Sequence, residues 1–270
     1  MIKIILIGDG QHADRYLTAF GQGLGRHGQS FSRQRTGVSA AADLVVFWAH
    51  RRHMIIKKQL DDGHDYLVME RGFVGARFDY TSLGYNGLNG RADFVNANVP
   101  DDRFYLFEHF MRAWRGLNGK YWVIMGQVAG DASIEHCDIQ KWYETMVATI
   151  KSNSSIPIVY RPHPLSRQYE KPGGTHLRSG TLNEILSNAR GAVTYNSNSG
   201  VDAVLAGVPT MAQDKGSMAY PVAAHDFEAL STAANEPDRV AWLQCLSYCQ
   251  WSLSEIIDGT AWQHLKRRYA

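Results

Sequence analysis

The chain has 270 residues, 44% apolar and 20% charged, with a net charge of +2. At about 100–200 residues per domain this is one large domain or two small ones, with core enough to need no disulfide staples. No run reaches the roughly 18 apolar residues of a membrane span, and the composition excludes collagen, coiled coil and disorder.

The first residues, 1–7, are apolar but too short for a signal peptide and lack a cleavage site, so residues 2–7 read as a first strand. Further strands are expected at 44–49, 66–70, 121–126, 156–160, 191–195 and 208–212. Helices are expected between them, at 12–24, 52–60, 103–117, 139–151, 182–188 and 201–206. Residues 226–269 read as mostly helical, anchored by Trp242, Trp251 and Trp262. This alternation predicts an α/β fold with parallel, doubly wound sheets. The pattern runs twice. The Asn118-Gly119 turn signal divides it into Rossmann-like domains at 1–119 and 120–250, with a cleft between them and a last helix at 251–270. Cys137, Cys245 and Cys249 are an odd count without metal spacing. Reduced thiols and a cytoplasmic location are therefore expected.

Charge is unevenly placed. Residues 12–58 hold eight Lys or Arg, among them Arg33, Arg35, Arg51 and Arg52, against Asp14 and Asp43, with four histidines besides. Such a stretch is either a polyanion footprint or a solvated basic face.

Several constellations carry chemistry. Gly8-Asp9-Gly10 follows the first strand but lacks the third glycine of a dinucleotide fingerprint, so it reads as a tight turn. Glu70 ends a strand and precedes Arg71 and Gly72; it is either a general base facing a cleft or a surface carboxylate paired with Arg71. The Gly- and Asn-rich stretch 81–93 reads as a loop presenting stacking faces or as a packed connector. Gly126, Gln127, Gly130 and Asp131 form a turn that lets backbone approach a ligand. In Arg161-Pro162-His163-Pro164 the prolines fix the backbone around a histidine beside an arginine, a good phosphate clamp. Asn196-Ser197-Asn198-Ser199-Gly200 opens a helix with more hydroxyls and amides than a cap requires, and Asp202 falls in its first turn. No metal constellation, Walker loop or nucleophile elbow is present in the sequence.

The segments 126–133, 161–164 and 196–209 resemble the capsule-polysaccharide biosynthesis and export family, which includes bacterial Kdo transferases and is distantly similar to sialyl- and polysialyltransferases. The resemblance implies a GT-B glycosyltransferase that needs no metal and no cofactor beyond a nucleotide-sugar co-substrate, a UDP- or CMP-sugar. It places the donor phosphate on His163, Ser197 and Ser199 and an acidic contact on Asp202, with Gln127, Asp131, Arg161, Asn196 and Gly200 completing the expected donor site. Glu70-Arg71-Gly72-Phe73 resembles the family's acidic-acidic-Gly-Phe segment, with Arg71 where the second acid is found. Glu70 is thus the expected base and Asp9 the next candidate, and the last helix is expected to cross back to the N-terminal domain. The compact size and basic N-terminal half also look like phage enzymes that glycosylate hydroxymethylated bases. The favoured acceptor is then 5-hydroxymethylpyrimidine in DNA, in a host cytoplasm, contacted by Arg33, Arg35, Arg51, Arg52 and Arg71. A surface-polysaccharide acceptor and a non-catalytic nucleotide- or sugar-binding protein are the alternatives.

Overall fold

The computed structural model describes residues 2–8, 10–37, 41–166 and 171–269. In chain order the first elements are β1 (Ile4–Ile7), α1 (Gln11–Arg26), β2 (Phe31–Gln34), β3 (Leu44–Trp48), α2 (His53–Asp61), β4 (Asp65–Arg71) and β5 (Tyr80–Tyr85). Then come α3 (Phe104–Phe107), β6 (Tyr121–Met125), α4 (Ile139–Asn153), β7 (Ile158–Arg161), β8 (His176–Leu177), α5 (Leu182–Leu186), β9 (Ala189–Thr194), α6 (Ser199–Leu205) and β10 (Thr210–Ala212). The chain closes with α7 (Phe227–Ser231), α8 (Arg239–Ser247), β11 (Gln250–Ser252), α9 (Leu253–Ile257) and α10 (Thr260–Leu265). Among the described residues no helix is long and apolar enough to cross a membrane.

Two compact units result. The first joins Met1–Arg103 to Gln244–Ala270, and the second is Phe104–Leu243. The 117–120 turn, read as a linker, lies inside the second.

Unit 1 has a six-stranded sheet in the order β11-β5-β4-β3-β1-β2. Strands β1 to β4 are parallel; β5 runs antiparallel to β4, and β11 antiparallel to β5. The buried runs of β1 and of β3 up to Phe47, mostly Ile, Leu and Val, suit a strand covered on both faces. Helix α1 lays Tyr16, Leu17, Phe20 and Leu24 onto one of those faces, at helical spacing. Gly23 lets α9 close over it: a β-carbon there would lie 2.1 Å from the Ile256 carbonyl oxygen.

Unit 2 has a five-stranded, all-parallel sheet in the order β10-β9-β6-β7-β8. Read from the β8 edge and numbered within the unit this is 3-2-1-4-5, five of the six strands of a dinucleotide-type sheet. Trp122, Ile124 and Tyr160 face α4, while Tyr121, Val123 and Val159 face α5 and α6.

Four sequence expectations differ from the structure. The helix expected over 103–117 stops after a single turn, α3. Beyond it the backbone amides of Arg112 and Arg115 are taken by the carbonyls of Leu205 and Gly207, and Gly116, at φ +56°, turns the chain. Strand β2 carries no apolar run because it is an exposed edge. The stretch 81–93, read as a loop, begins within β5, where Gly84 lies under Ala92 and Phe94. The single last helix is instead β11, α9 and α10. Ser252 starts α9 with a capping box to Glu255, and Gly259, at φ +89°, separates α9 from α10.

Candidate functional site

In open α/β sheets ligands gather beyond the strands' C-terminal ends, where the strand order reverses. In unit 2 that point lies between β6 and β9, and the segments leaving them carry Gln127 and Asn196. The two side chains are tied together: Gln127 Nε2 donates to Asn196 Oδ1 at 2.8 Å, and the Asn196 amide donates to Gln127 Oε1 at 3.1 Å. Asn196 is 3% exposed. Its Nδ2 donates to the Ser133 carbonyl and to Asp214 Oδ1, both at 2.8 Å. The Gln127 amide donates to the Tyr143 hydroxyl at 2.7 Å, and burial pushes the Tyr143 phenol up, so it stays neutral. This network holds the ends of β6 and β9 rigid, as a preorganised site requires.

The phosphate-clamp residues lie one strand away. Gly126 ends β6 so close to the next segment that a β-carbon there would meet Tyr160 Oη at 2.7 Å and the His163 amide at 3.1 Å. Arg161 ends β7. Burial lowers its pKa, and Asp202 on α6 opposes that shift. Its Nε is buried without a hydrogen-bond partner among the described residues. An arginine so placed calls for an acceptor. His163 Nδ1 accepts from the Leu165 amide at 3.1 Å, which puts the proton of a neutral ring on Nε2, a donor.

Ser197 and Ser199 spend hydroxyl capacity on each other: Ser199 Oγ donates to Ser197 Oγ at 2.9 Å, and the Ser199 amide reaches the same oxygen. Helix α6 is only seven residues long, so its dipole adds little. Gly200 is buried under Ala219 and Thr194 and serves packing. Asp131 caps the turn after it, accepting from the Ser133 amide and hydroxyl at 2.9 and 2.7 Å.

Three residues of this edge carry no sequence motif. Asp214, 18 positions after Asn196, accepts from Asn196 and from the Gly216 amide. His136 Nε2 lies 3.5 Å from Asp214 Oδ2 and 3.2 Å from the Tyr195 hydroxyl. For Tyr195 and Asp214 the only sequence signal is polar type just past a strand end, and His136, in the loop before α4, has none.

In unit 1, Glu70 is half-buried near the end of β4, opposite Ser82. One of its oxygens accepts from the Arg71 amide at 2.9 Å, and it lines a crevice with Val68, Ser82 and Phe94 that is too narrow for water. Asp9 lies outside the described residues. Arg71 stacks on Phe78 at 4.4 Å rather than pairing with Glu70. The basic stretch is partly neutralised: Arg33 pairs with Asp14 at 2.6 Å, Lys57 with Asp61 and Lys58 with Asp62. Arg35 and Arg51 are exposed just beyond β2 and β3, and Arg52 is half-buried at the start of α2. Unit 1 has its own reversal point, between β1 and β3. There Tyr16 stacks on Trp48 at 4.3 Å with His12 edge-on, and Ala49 holds a strained φ of +61°.

No family model matches the sequence, and no curated protein matches it. By structure the chain is similar to the beta Kdo 2,4 transferase of Thermosulfurimonas dismutans KpsC, with a TM-score of 0.60 and 12% identity over 93% of this chain and 97% of that one. It is also similar to the beta Kdo 2,7 transferase of the same KpsC, with a TM-score of 0.58 and 14% identity over 99% of this chain and 100% of that one. These likenesses establish the fold, which is that of GT-B glycosyltransferases.

Proposed function

We propose that the protein is a glycosyltransferase that moves a sugar from a nucleotide-sugar donor, bound by unit 2, to an acceptor hydroxyl bound by unit 1. The observation that carries this reading is the Gln127–Asn196–Asp214 network at the reversal point of a 3-2-1-4-5 sheet, one strand from the unpartnered Nε of Arg161. The acceptor oxygen attacks the anomeric carbon, the bond to the nucleotide phosphate breaks, and the hydroxyl proton passes to Glu70, with Asp9 as the second candidate. Arg161, His163 Nε2 and the serine turn donate to the departing phosphate, a charge role met elsewhere by a metal ion, and we propose a metal-independent reaction.

The acceptor we propose is a hydroxyl of a bacterial surface polysaccharide. Two observations favour it: the fold neighbours named above are Kdo transferases, and Arg33, Lys57 and Lys58 of the basic stretch are already paired. DNA carrying 5-hydroxymethylpyrimidine, ranked first on sequence, becomes the second reading. It is supported by Arg35 and Arg51, exposed past β2 and β3. Either reaction is placed in the cytoplasm, where nucleotide sugars are made.

The test begins with UDP and CMP titrated against the native chain and His163→Ala. We expect one nucleotide to bind, and the variant to bind at least about tenfold more weakly, one charge-assisted hydrogen bond being worth about 1.5–3 kcal/mol. Turnover of the matching sugar nucleotide should fall about 10²–10⁴-fold in Glu70→Gln with donor binding kept. Binding of neither nucleotide sinks the reading; donor binding without transfer to any acceptor leaves a non-catalytic protein. Modified nucleosides after incubation with hydroxymethylated DNA, with binding that weakens steeply in salt, would select the second acceptor.

A further inference from the structure

Unit 1 contains a cavity of about 470 Å³ that lies outside the candidate sites described above. Its floor and wall are aromatic. Trp251, Tyr248 and His264 meet with ring centroids 4.7–5.9 Å apart. Beneath them the Arg103 guanidinium lies 4.0 Å from the Trp251 ring and commits four of its five N–H donors, to the Ser247 and Gln250 carbonyls and to both oxygens of Glu255. Arg103 is thus a fixed part of the floor. The lining carboxylate, Asp102, is likewise engaged, accepting from the Tyr248 hydroxyl at 2.5 Å. His264 is half-buried and approaches the Val95 carbonyl through Nε2; burial lowers its pKa and favours the neutral ring.

What is left over points to a ligand. Trp251 is 2% exposed, lines the cavity, and its indole N–H has no hydrogen-bond partner among the described residues. An N–H buried without an acceptor is rare in folded proteins. At the rim, Lys266 and Arg267 are exposed, and their side chains make no hydrogen bond or ion pair among the described residues. Thr260 and Gln263 add a hydroxyl and an amide. The volume falls in the range of about 300–1,000 Å³ typical of small-molecule sites.

We propose that this cavity binds a sugar carrying one anionic group, a carboxylate or a phosphate. The apolar C–H face of the ring lies on the aromatic wall, ring hydroxyls meet Thr260 and Gln263, and the anion meets Lys266 and Arg267, while the buried Trp251 indole N–H, behind that wall, reports occupancy. This site is separate from the donor and acceptor sites of the proposed transfer and does not rest on that reading.

The experiment follows the Trp251 indole N–H by heteronuclear NMR on the full chain, with the resonance assigned by its loss in Trp251→Phe. Galacturonic acid, glucose 6-phosphate and glucose are titrated separately. We expect the resonance to move with at least one acidic sugar and not with glucose at the same concentration. The identity of the active sugar separates carboxylate from phosphate. In Lys266→Gln/Arg267→Gln, whose substitutions are both on the surface, affinity should fall at least tenfold. It should be unchanged in Asn196→Ala, which alters unit 2. Ligand-observed saturation transfer in the same samples needs no assigned variant, and it should vanish in the double variant. A stationary indole with all three sugars, equal movement with glucose, or saturation transfer that survives the double variant would overturn the proposal.

Discussion

Asn196 shows how much one side chain can organise. It gives both Nδ2 hydrogens and its amide N–H, and it accepts on Oδ1, all without exposure to water. Asn196→Ala removes the partners of Gln127 Nε2 and the Ser133 carbonyl and one of the donors to Asp214, while the backbone amide still reaches Gln127 Oε1; each polar group so stranded costs about 1–3 kcal/mol. We expect donor affinity to drop at least about tenfold and the melting temperature to fall, measured by calorimetry on the same samples; Asn196→Asp should be worse, because it sets a second carboxylate beside Asp214. The cluster Asn196-Ser197-Asn198-Ser199 was legible in sequence because its polar density exceeds a cap's needs. Asp214 and Tyr143 were not. Asp214 follows a strand with no motif around it, and Tyr143 reads as one more apolar-face residue of α4. Gly200 was legible as a glycine but not as packing, since Ala219 comes from a distant segment.

Elements were legible where their partners are local or their apolar runs continuous, as in β1, β3 and β6. They were illegible where pairing is remote: β5 is completed by β11, with Ser82 facing Gln250, and neither run announces itself. Gly23 belongs to the same class, because nothing in α1 foretells a carbonyl at 2.1 Å. Gly23→Ala must push α9 away. We expect a loss of about 1–3 kcal/mol despite the better helix propensity of alanine, read as a lower denaturation midpoint, with Gly25→Ala as the control because a β-carbon there meets nothing within 4 Å.

The turn after α10 is fixed by Arg268, whose Nε and Nη2 reach both oxygens of Asp65 at 2.8 and 3.0 Å. Burial alone would raise the Asp65 carboxyl, but the bonds from Arg268 and Asn86 hold it below its ordinary 3.8. A depressed carboxylate stabilises the fold above its unfolded value and loses that contribution as pH falls through the folded one. Arg268→Ala should therefore cost about 1–3 kcal/mol at pH 7, and the gap to the native chain should close below about pH 4, the unfolded carboxylate value. A gap independent of pH would assign the loss to packing instead.

At the scale of the whole molecule, the division into units is itself testable. Unit 2 is continuous, Phe104–Leu243, and has its own sheet and its own aromatic core around Trp122 and Phe227. Residues 104–243 expressed alone should melt cooperatively and bind the same nucleotide as the full chain, by differential scanning and titration calorimetry. A chain cut after Leu243 should keep that binding but lose unit 1, because Trp251, Ile256, Trp262 and Leu265 leave its core. The two-domain α/β plan was legible from the repeated strand–helix alternation. The membership of 244–270 was legible only as a family habit of returning to the first domain, and its form as a strand plus two short helices was not.

The return of 244–270 to unit 1 has a consequence during synthesis. When Arg103 leaves the ribosome, β5 is an open edge strand, and its partner β11 begins 147 positions later, at Gln250. At about 5–20 residues per second the wait is roughly 7–30 seconds. Through that interval the first unit presents a bare strand edge and the apolar face of α1 that α9 will cover, the surface that pairs with other nascent chains. We therefore expect slow translation, which lengthens the exposure, to lower the soluble yield, and a holding chaperone that covers the N-terminal unit until residues 244–270 are made to restore it, measured as soluble protein per synthesised chain.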